Sequence, residues 1–174
     1  MSSINYDLKR ISAVVFDVDG VLSPSTIPMG TDGVPRRMAN IKDGYAMQLA
    51  VKCGVKLAII TGAAAEAVRV RYNSLGITDV FVGAGHKAPV LEKWMSDNHL
   101  SPDEVAYVGD DVPDFEPMRI VGLRVAPADA AWDIKQIANY VTPVNGGYGV
   151  ARDVLEQLLR AKGLWVLDEK AFGW

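Results

Sequence analysis

A single cysteine, Cys53, occurs in the whole chain, and no run of Lys or Arg is longer than Arg36-Arg37. One cysteine closes no internal disulfide, and such usage fits a reducing compartment. The missing basic runs, with a net charge of −3 and a pI near 5.4, leave no electrostatic footprint for nucleic acid or an anionic membrane. No apolar stretch approaches the ~20 residues of a membrane span. The first residues, Met1 to Arg10, are polar and lack the apolar core of a signal peptide. A soluble, cytoplasmic protein is expected. What the chain does have is 49% hydrophobic residues over 174 positions, enough for one domain, 1–174, with a substantial core.

That hydrophobicity is arranged as a regular alternation. Apolar, β-branched runs at Ala13–Val18, Val55–Ile60, Val80–Val82, Val105–Val108, Leu123–Val125 and Tyr140–Val141 predict strands. Between most of them lie helical stripes: Ala46, Leu49, Ala50 and Cys53; Val68, Tyr72 and Leu75; Leu91, Trp94 and Met95. A closing stripe comprises Ala151, Val154, Leu155, Leu158 and Leu159. Gly54 and Gly76 sit where helix C-caps belong. Strand-helix alternation predicts right-handed crossovers and an α/β fold, a Rossmann-like three-layer sandwich with a mostly parallel sheet. Residues 23–42, rich in Pro and Gly, interrupt the pattern. Asp32-Gly33 in their middle is a hairpin signal, so a small β-hairpin flap is expected beside the first strand.

The chemistry-bearing residues stand at strand ends. Val14 to Phe16 deliver Asp17 and Asp19, one residue apart, onto Gly20, which lets the backbone turn. On an ideal strand the two carboxylates share a face, but the strand is ending, so periodicity leaves their directions open. Thr61-Gly62 follows the second run, Lys87 follows the third after a glycine loop, and Gly109-Asp110-Asp111-Val112-Pro113-Asp114 follows the fourth. Each alone has an ordinary reading: an acidic turn, a β-turn, a solvated lysine, a helix N-cap. In a parallel sheet, however, all strand ends point one way, so the four converge on one edge. Clustered carboxylates without a Cys or His set suit Mg²⁺. A lysine, a threonine and Gly-rich loop amides suit a phosphate.

Asp17-x-Asp19-Gly-Val, Thr61-Gly, Lys87 and Gly-Asp110-Asp111-x-x-Asp114 resemble, in order, the four motifs of the haloacid dehalogenase superfamily of phosphohydrolases. Members usually carry a cap domain; here residues 20–42 leave room for a hairpin only, and residues 62–80 for one helix. A neighbouring subunit would then have to close the cleft. Gly20-Val-Leu-Ser, Met29-Gly30, Asn40-Ile41-Lys42-Asp43-Gly44-Tyr and Gly146-Gly147-Tyr148-Gly149-Val-Ala-Arg152-Asp153 further resemble the cap-less, tetrameric 3-deoxy-D-manno-octulosonate 8-phosphate phosphatase family. Arg71 matches that family. Gln48, Ala63 and Tyr148 stand where it usually carries arginines.

The resemblance implies a mechanism. Asp17, with the ~3.9 pKa of an ordinary aspartate, is ionised and acts as nucleophile. Asp19 protonates the leaving alkoxide and then activates water. Mg²⁺ is held by Asp17, the Asp19 backbone carbonyl and Asp110, with Asp111 and Asp114 orienting metal-bound waters or Lys87 from behind. Thr61, Gly62 and Lys87 bind the phosphoryl group; Asn40, Ile41, Lys42, Asp43, Gly44 and Arg71 are the candidate sugar contacts. A homotetramer is implied too, and the apolar tail at 163–174, with Trp165, Leu167, Phe172 and Trp174, is expected to bury itself against a neighbour, with folding back on its own subunit as the alternative. The expected substrate is the eight-carbon sugar acid phosphate. A nine-carbon keto-deoxy analogue is the alternative within the family, and a phospho-receiver or scaffold domain the alternative outside it.

Overall fold

The computed structural model describes residues 3–166 and 169–173. Six strands, β1 (Ala13–Phe16), β2 (Lys56–Ile60), β3 (Asp79–Phe81), β4 (Val105–Val108), β5 (Leu123–Ala126) and β6 (Tyr140–Val141), form one sheet in the order β3-β2-β1-β4-β5-β6. Every pairing in it is parallel. The helices are α1 (Ile41–Lys52), α2 (Glu66–Asn73), α3 (Lys87–Asp97), α4 (Phe115–Ile120), α5 (Trp132–Ile137) and α6 (Val150–Ala161).

Strand periodicity divides the core in two. Val14 and Phe16 of β1, with Leu57 and Ile59 of β2, pack under α1, α2 and α6. Ala13 and Val15, with Ala58 and Ile60, pack under α3, α4 and α5. Because β1 is buried on both faces, its sequence reads as an unbroken apolar run rather than an alternation. The chain winds outward from β1 to β2 and β3, then returns to β4 on the other side. That reversal opens a crevice at the carboxyl ends of β1 and β4.

The first strand is shorter than its apolar run. The Asp17 N–H still donates to the Val108 carbonyl (3.0 Å), but the Val18 carbonyl accepts the N–H groups of Val21, Leu22 and Ser23. The backbone has already turned at Val18. The flap is likewise reduced to a minimal hairpin: one antiparallel bridge pairs Met29 with Pro35, and the Gly33 N–H donates to the Gly30 carbonyl across the turn. Thr31 and Asp32, rather than Asp32 and Gly33, occupy the centre of that turn. Gly33 follows at φ 76°, the left-handed position that a bulged hairpin needs.

The tail departs most from expectation. Trp165 is buried, edge-on to Tyr45 at 5.9 Å between ring centroids, with the Arg152 guanidinium 4.5 Å above its ring. A short 3₁₀ turn, Glu169–Phe172, packs beside α1, where the Tyr45 hydroxyl donates to the Ala171 carbonyl. This part of the tail therefore folds onto its own chain, because aromatic and cation–π partners are at hand. Phe172 stays 77% exposed. Leu167 and Trp174 lie outside the described residues.

Candidate active site

Backbone economy builds the crevice. Gly20 turns at φ 84°, and a Cβ there would overlap the Asp110 carboxylate, so only glycine lets the loops after β1 and β4 approach so closely. Asp110 is fixed at both ends of its peptide. Its N–H donates to Asp114 Oδ2 (3.0 Å) and its carbonyl accepts from the Ala131 N–H (2.8 Å). Behind Gly20 the Gly146-Gly147 loop presses in, the Gly147 N–H donating to the Val21 carbonyl at 2.8 Å.

Lys87, the first residue of α3, enters from the next loop and is only 5% exposed. Its Nζ stands 2.9 Å from Asp17 Oδ1 and 2.7 Å from Asp114 Oδ1. The buried Tyr107 hydroxyl also donates to Asp114 Oδ1, at 2.9 Å. Asp114 thus receives three donors and positions all of them. Burial pushes the Asp17 carboxyl up and Asp114 adds to the push, while Lys87 opposes both. With no cation bound, burial therefore disfavours the charged form expected at Asp17. Burial, then Asp17, Asp114 and Asp111, raise Asp110 to about 8. Lys87 is raised instead, because the two carboxylates outweigh the cost of its burial.

These groups line a cleft of about 500 Å³ together with Asp19, Ser25, Arg37, Thr61, Gly62, Ala63 and Asp111. Thr61 is buried, and its Oγ accepts the Ala63 N–H (3.2 Å), leaving the hydroxyl proton for a ligand. A sequence profile of the haloacid dehalogenase-like hydrolases matches residues 57–154. The 3-deoxy-D-manno-octulosonate 8-phosphate phosphatase KdsC of Escherichia coli K12 is 40% identical over 161 residues, 92% of this chain and 85% of that protein. The chain belongs to the haloacid dehalogenase-like hydrolases. Among solved members of this family, the same-named phosphatase of Yersinia pestis superposes with a TM-score of 0.86 at 36% identity, covering 90% of this chain and 85% of that one. The Moraxella catarrhalis enzyme, solved with a magnesium ion, a phosphate ion and a KDO molecule, gives 0.85 at 30% identity and 89% coverage of each chain.

The acidic cluster of this hydrolase fits a hard divalent cation. Carboxylate oxygens of Asp17, Asp110 and Asp114 lie within 4.8 Å of one another, and repulsion between them goes uncompensated beyond Lys87. Asp114 is the odd member, since Lys87, Tyr107 and the Asp110 amide already engage its oxygens. Asp17 and Asp110 are the open donors, with Asp114 buttressing them. Asp111 is exposed and accepts the N–H of Val112 (2.8 Å), capping the short turn that presents Asp114.

The sugar-contact candidates do not join this cleft within one chain. Asn40 caps α1, accepting from the N–H groups of Lys42 and Asp43, and its amide donates to the Gly147 carbonyl (3.3 Å). Asp43 and Gly44 are buried, and Asp43 Oδ1 takes the Arg152 N–H at 2.6 Å, at the start of α6. One oxygen of Asp43, a candidate sugar ligand, is thus spent on coupling two helices. Ile41 and Lys42 are exposed at the outer start of α1. Arg71 lies over Gly44, in a separate groove between the flap and α2.

Two participants were not singled out from the sequence. Tyr107 had a signal, the one polar-tipped side chain in the Val-Ala-Tyr-Val run of β4. Arg37 had none beyond its charge. Its guanidinium grips Asp19 through two bonds of 2.7 Å, from Nε to Oδ1 and from a terminal nitrogen to Oδ2. Nothing in the spacing of residues 19 and 37 announces that pair, which exists because the flap folds back over the crevice.

Proposed function

We propose that this chain is a Mg²⁺-dependent phosphatase that releases phosphate from 3-deoxy-D-manno-octulosonate 8-phosphate in the cytoplasm, as a single-domain protein. The observation that carries the chemistry is the buried Asp17–Lys87–Asp114 arrangement at the end of the central strand, facing Asp110. Likeness to the named phosphatases supports the substrate.

Asp17, Asp110 and the backbone carbonyl of Asp19 would hold the cation. Mg²⁺ bound there offsets the repulsion between the carboxylates and an anionic phosphoryl group. Asp17 attacks phosphorus; its new P–O bond forms as the bond to the sugar oxygen breaks, and Asp19 gives that oxygen its proton. Asp19 then takes a proton from water, whose oxygen attacks phosphorus and frees Asp17 and inorganic phosphate. Lys87 and Thr61, with the Gly62 N–H, receive phosphoryl oxygens. Release of phosphate from the eight-carbon acid in Mg²⁺, against its nine-carbon analogue, tests the assignment. Equal or better turnover of the longer sugar would overturn the substrate and leave the phosphatase standing.

A homotetramer belongs to the same proposal. No further domain covers the crevice among the described residues, and Met29, Ile41, Val70 and Phe172 are each more than half exposed. Light scattering should return four times 18.8 kDa; a monomer would refute it.

A further inference from the structure

Arg37 is the cation of the cleft that the phosphoryl chemistry leaves unused. Lys87 is committed to Asp17 and Asp114, and among the described residues no other lysine or arginine lines the 500 Å³ cavity. Arg37 also lines a second cavity of about 310 Å³ between the flap and α2, walled by Val34, Met38, Val68 and Tyr72, with Arg71 at its side. It stands at the junction of the two spaces. Its side chain is 17% exposed, and its fork grips a carboxylate already, that of Asp19.

Three features meet at Arg37. First, the guanidinium geometry is a carboxylate-binding geometry by demonstration, since both N–H···O contacts to Asp19 are 2.7 Å long. Second, the leaving group must depart on the Asp19 side, because Asp19 supplies its proton; whatever is attached to that oxygen extends past Arg37. Third, the cleft is rich in carboxylates, so a substrate that adds one more to its phosphate needs another cation to receive it. A guanidinium released from Asp19 meets that need, and the release leaves Asp19 free to face the leaving oxygen.

We infer that Arg37 is a specificity-determining residue, which exchanges the carboxylate of Asp19 for a carboxylate on the leaving group of the substrate. The inference rests on the phosphatase reading above and deepens it, naming the residue that recognises the carboxylate of the sugar acid. The Arg36 side chain beside it does not share the role: it is held by Asp32 within the hairpin, at 2.6 Å.

The test compares 3-deoxy-D-manno-octulosonate 8-phosphate with its C1 methyl ester, identical but for the charge, using full-length wild type, Arg37→Ala, Arg37→Lys and Arg36→Ala. The readout is the ratio of kcat/KM for acid over ester, which is insensitive to a general loss of active protein. Wild type should prefer the acid by about 10- to 100-fold, the worth of charge-assisted bonds to one carboxylate. Arg37→Ala should bring the ratio close to one, Arg37→Lys should fall between, and Arg36→Ala should keep the wild-type ratio. A wild type indifferent to the ester, an Arg37→Ala ratio equal to wild type, or an equal loss in Arg36→Ala would each overturn the inference while phosphate release continued. Failure of wild type to hydrolyse either compound would instead overturn the substrate assignment above, and the inference with it.

Discussion

Asp114 holds Lys87 at 2.7 Å from deep inside the crevice, 1% exposed, without lining up as an open metal donor itself. One carboxylate thereby fixes the site's central ammonium, the hydroxyl of Tyr107 and the amide of Asp110. Groups that orient ligands from behind are costly to lose. Asp114→Ala should lower kcat by about 10- to 100-fold, the usual scale for such partners. KM for substrate should change less than kcat. An Asp114→Ala enzyme with wild-type kcat would show that Lys87 is positioned by Asp17 alone.

The raised carboxyls give the cation site a pH signature. A carboxyl raised in the folded state holds its proton more tightly folded than unfolded. Its contribution to stability is therefore full below the ordinary value of 3.8 and lost as pH climbs through the folded value, about 8 for Asp110. Without Mg²⁺ the protein should lose stability between about pH 4 and pH 8. A bound divalent cation replaces those protons, so the rise in Tm caused by Mg²⁺ should be small at pH 5 and large at pH 8. A Mg²⁺-induced shift that is equal at both pH values would contradict the two-carboxylate site.

Asp43 makes a separate case of the same physics. Burial lifts it to about 6 against the help of Arg152, and its Oδ2 has no hydrogen-bond partner among the described residues. Being raised, it withdraws stability as pH climbs from 3.8 through 6, by about 3 kcal/mol once fully ionised. Asp43→Asn keeps the acceptor for the Arg152 N–H and removes the charge. Its urea-derived stability should fall less than that of wild type between pH 4 and pH 7. Parallel curves for the two proteins would place the titration elsewhere.

Much of this was legible in the sequence, for reasons that can be named. Buried strands such as Val14–Phe16 announce themselves because both faces need apolar residues, and a parallel sheet then gathers their carboxyl ends. Asp17, Asp110, Lys87 and Thr61 follow from that rule and meet in one cleft. The helices α4 and α5, six residues each, escaped because so short a span holds too few turns to show a stripe. The fork between Arg37 and Asp19 escaped for a different reason: it depends on how an irregular flap folds back, which no periodicity encodes. Asp43 reads as a polar residue in a glycine-containing segment, and only the packing of α1 against α6 reveals that it binds a helix start. Trp165 likewise looked like an apolar residue in need of a partner chain until Tyr45 and Arg152 proved to be beside it.

The nucleophile is the centre of the account, and Asp17→Asn is its most direct test. The amide keeps the size of the side chain and relieves a buried charge, so the variant should fold at least as stably as wild type in the absence of Mg²⁺. Phosphate release from 3-deoxy-D-manno-octulosonate 8-phosphate in Mg²⁺ should nonetheless vanish, by a factor of at least about 10³, because an amide forms no acyl phosphate under these conditions. Near-wild-type phosphate release from a folded Asp17→Asn protein would contradict the mechanism at its root.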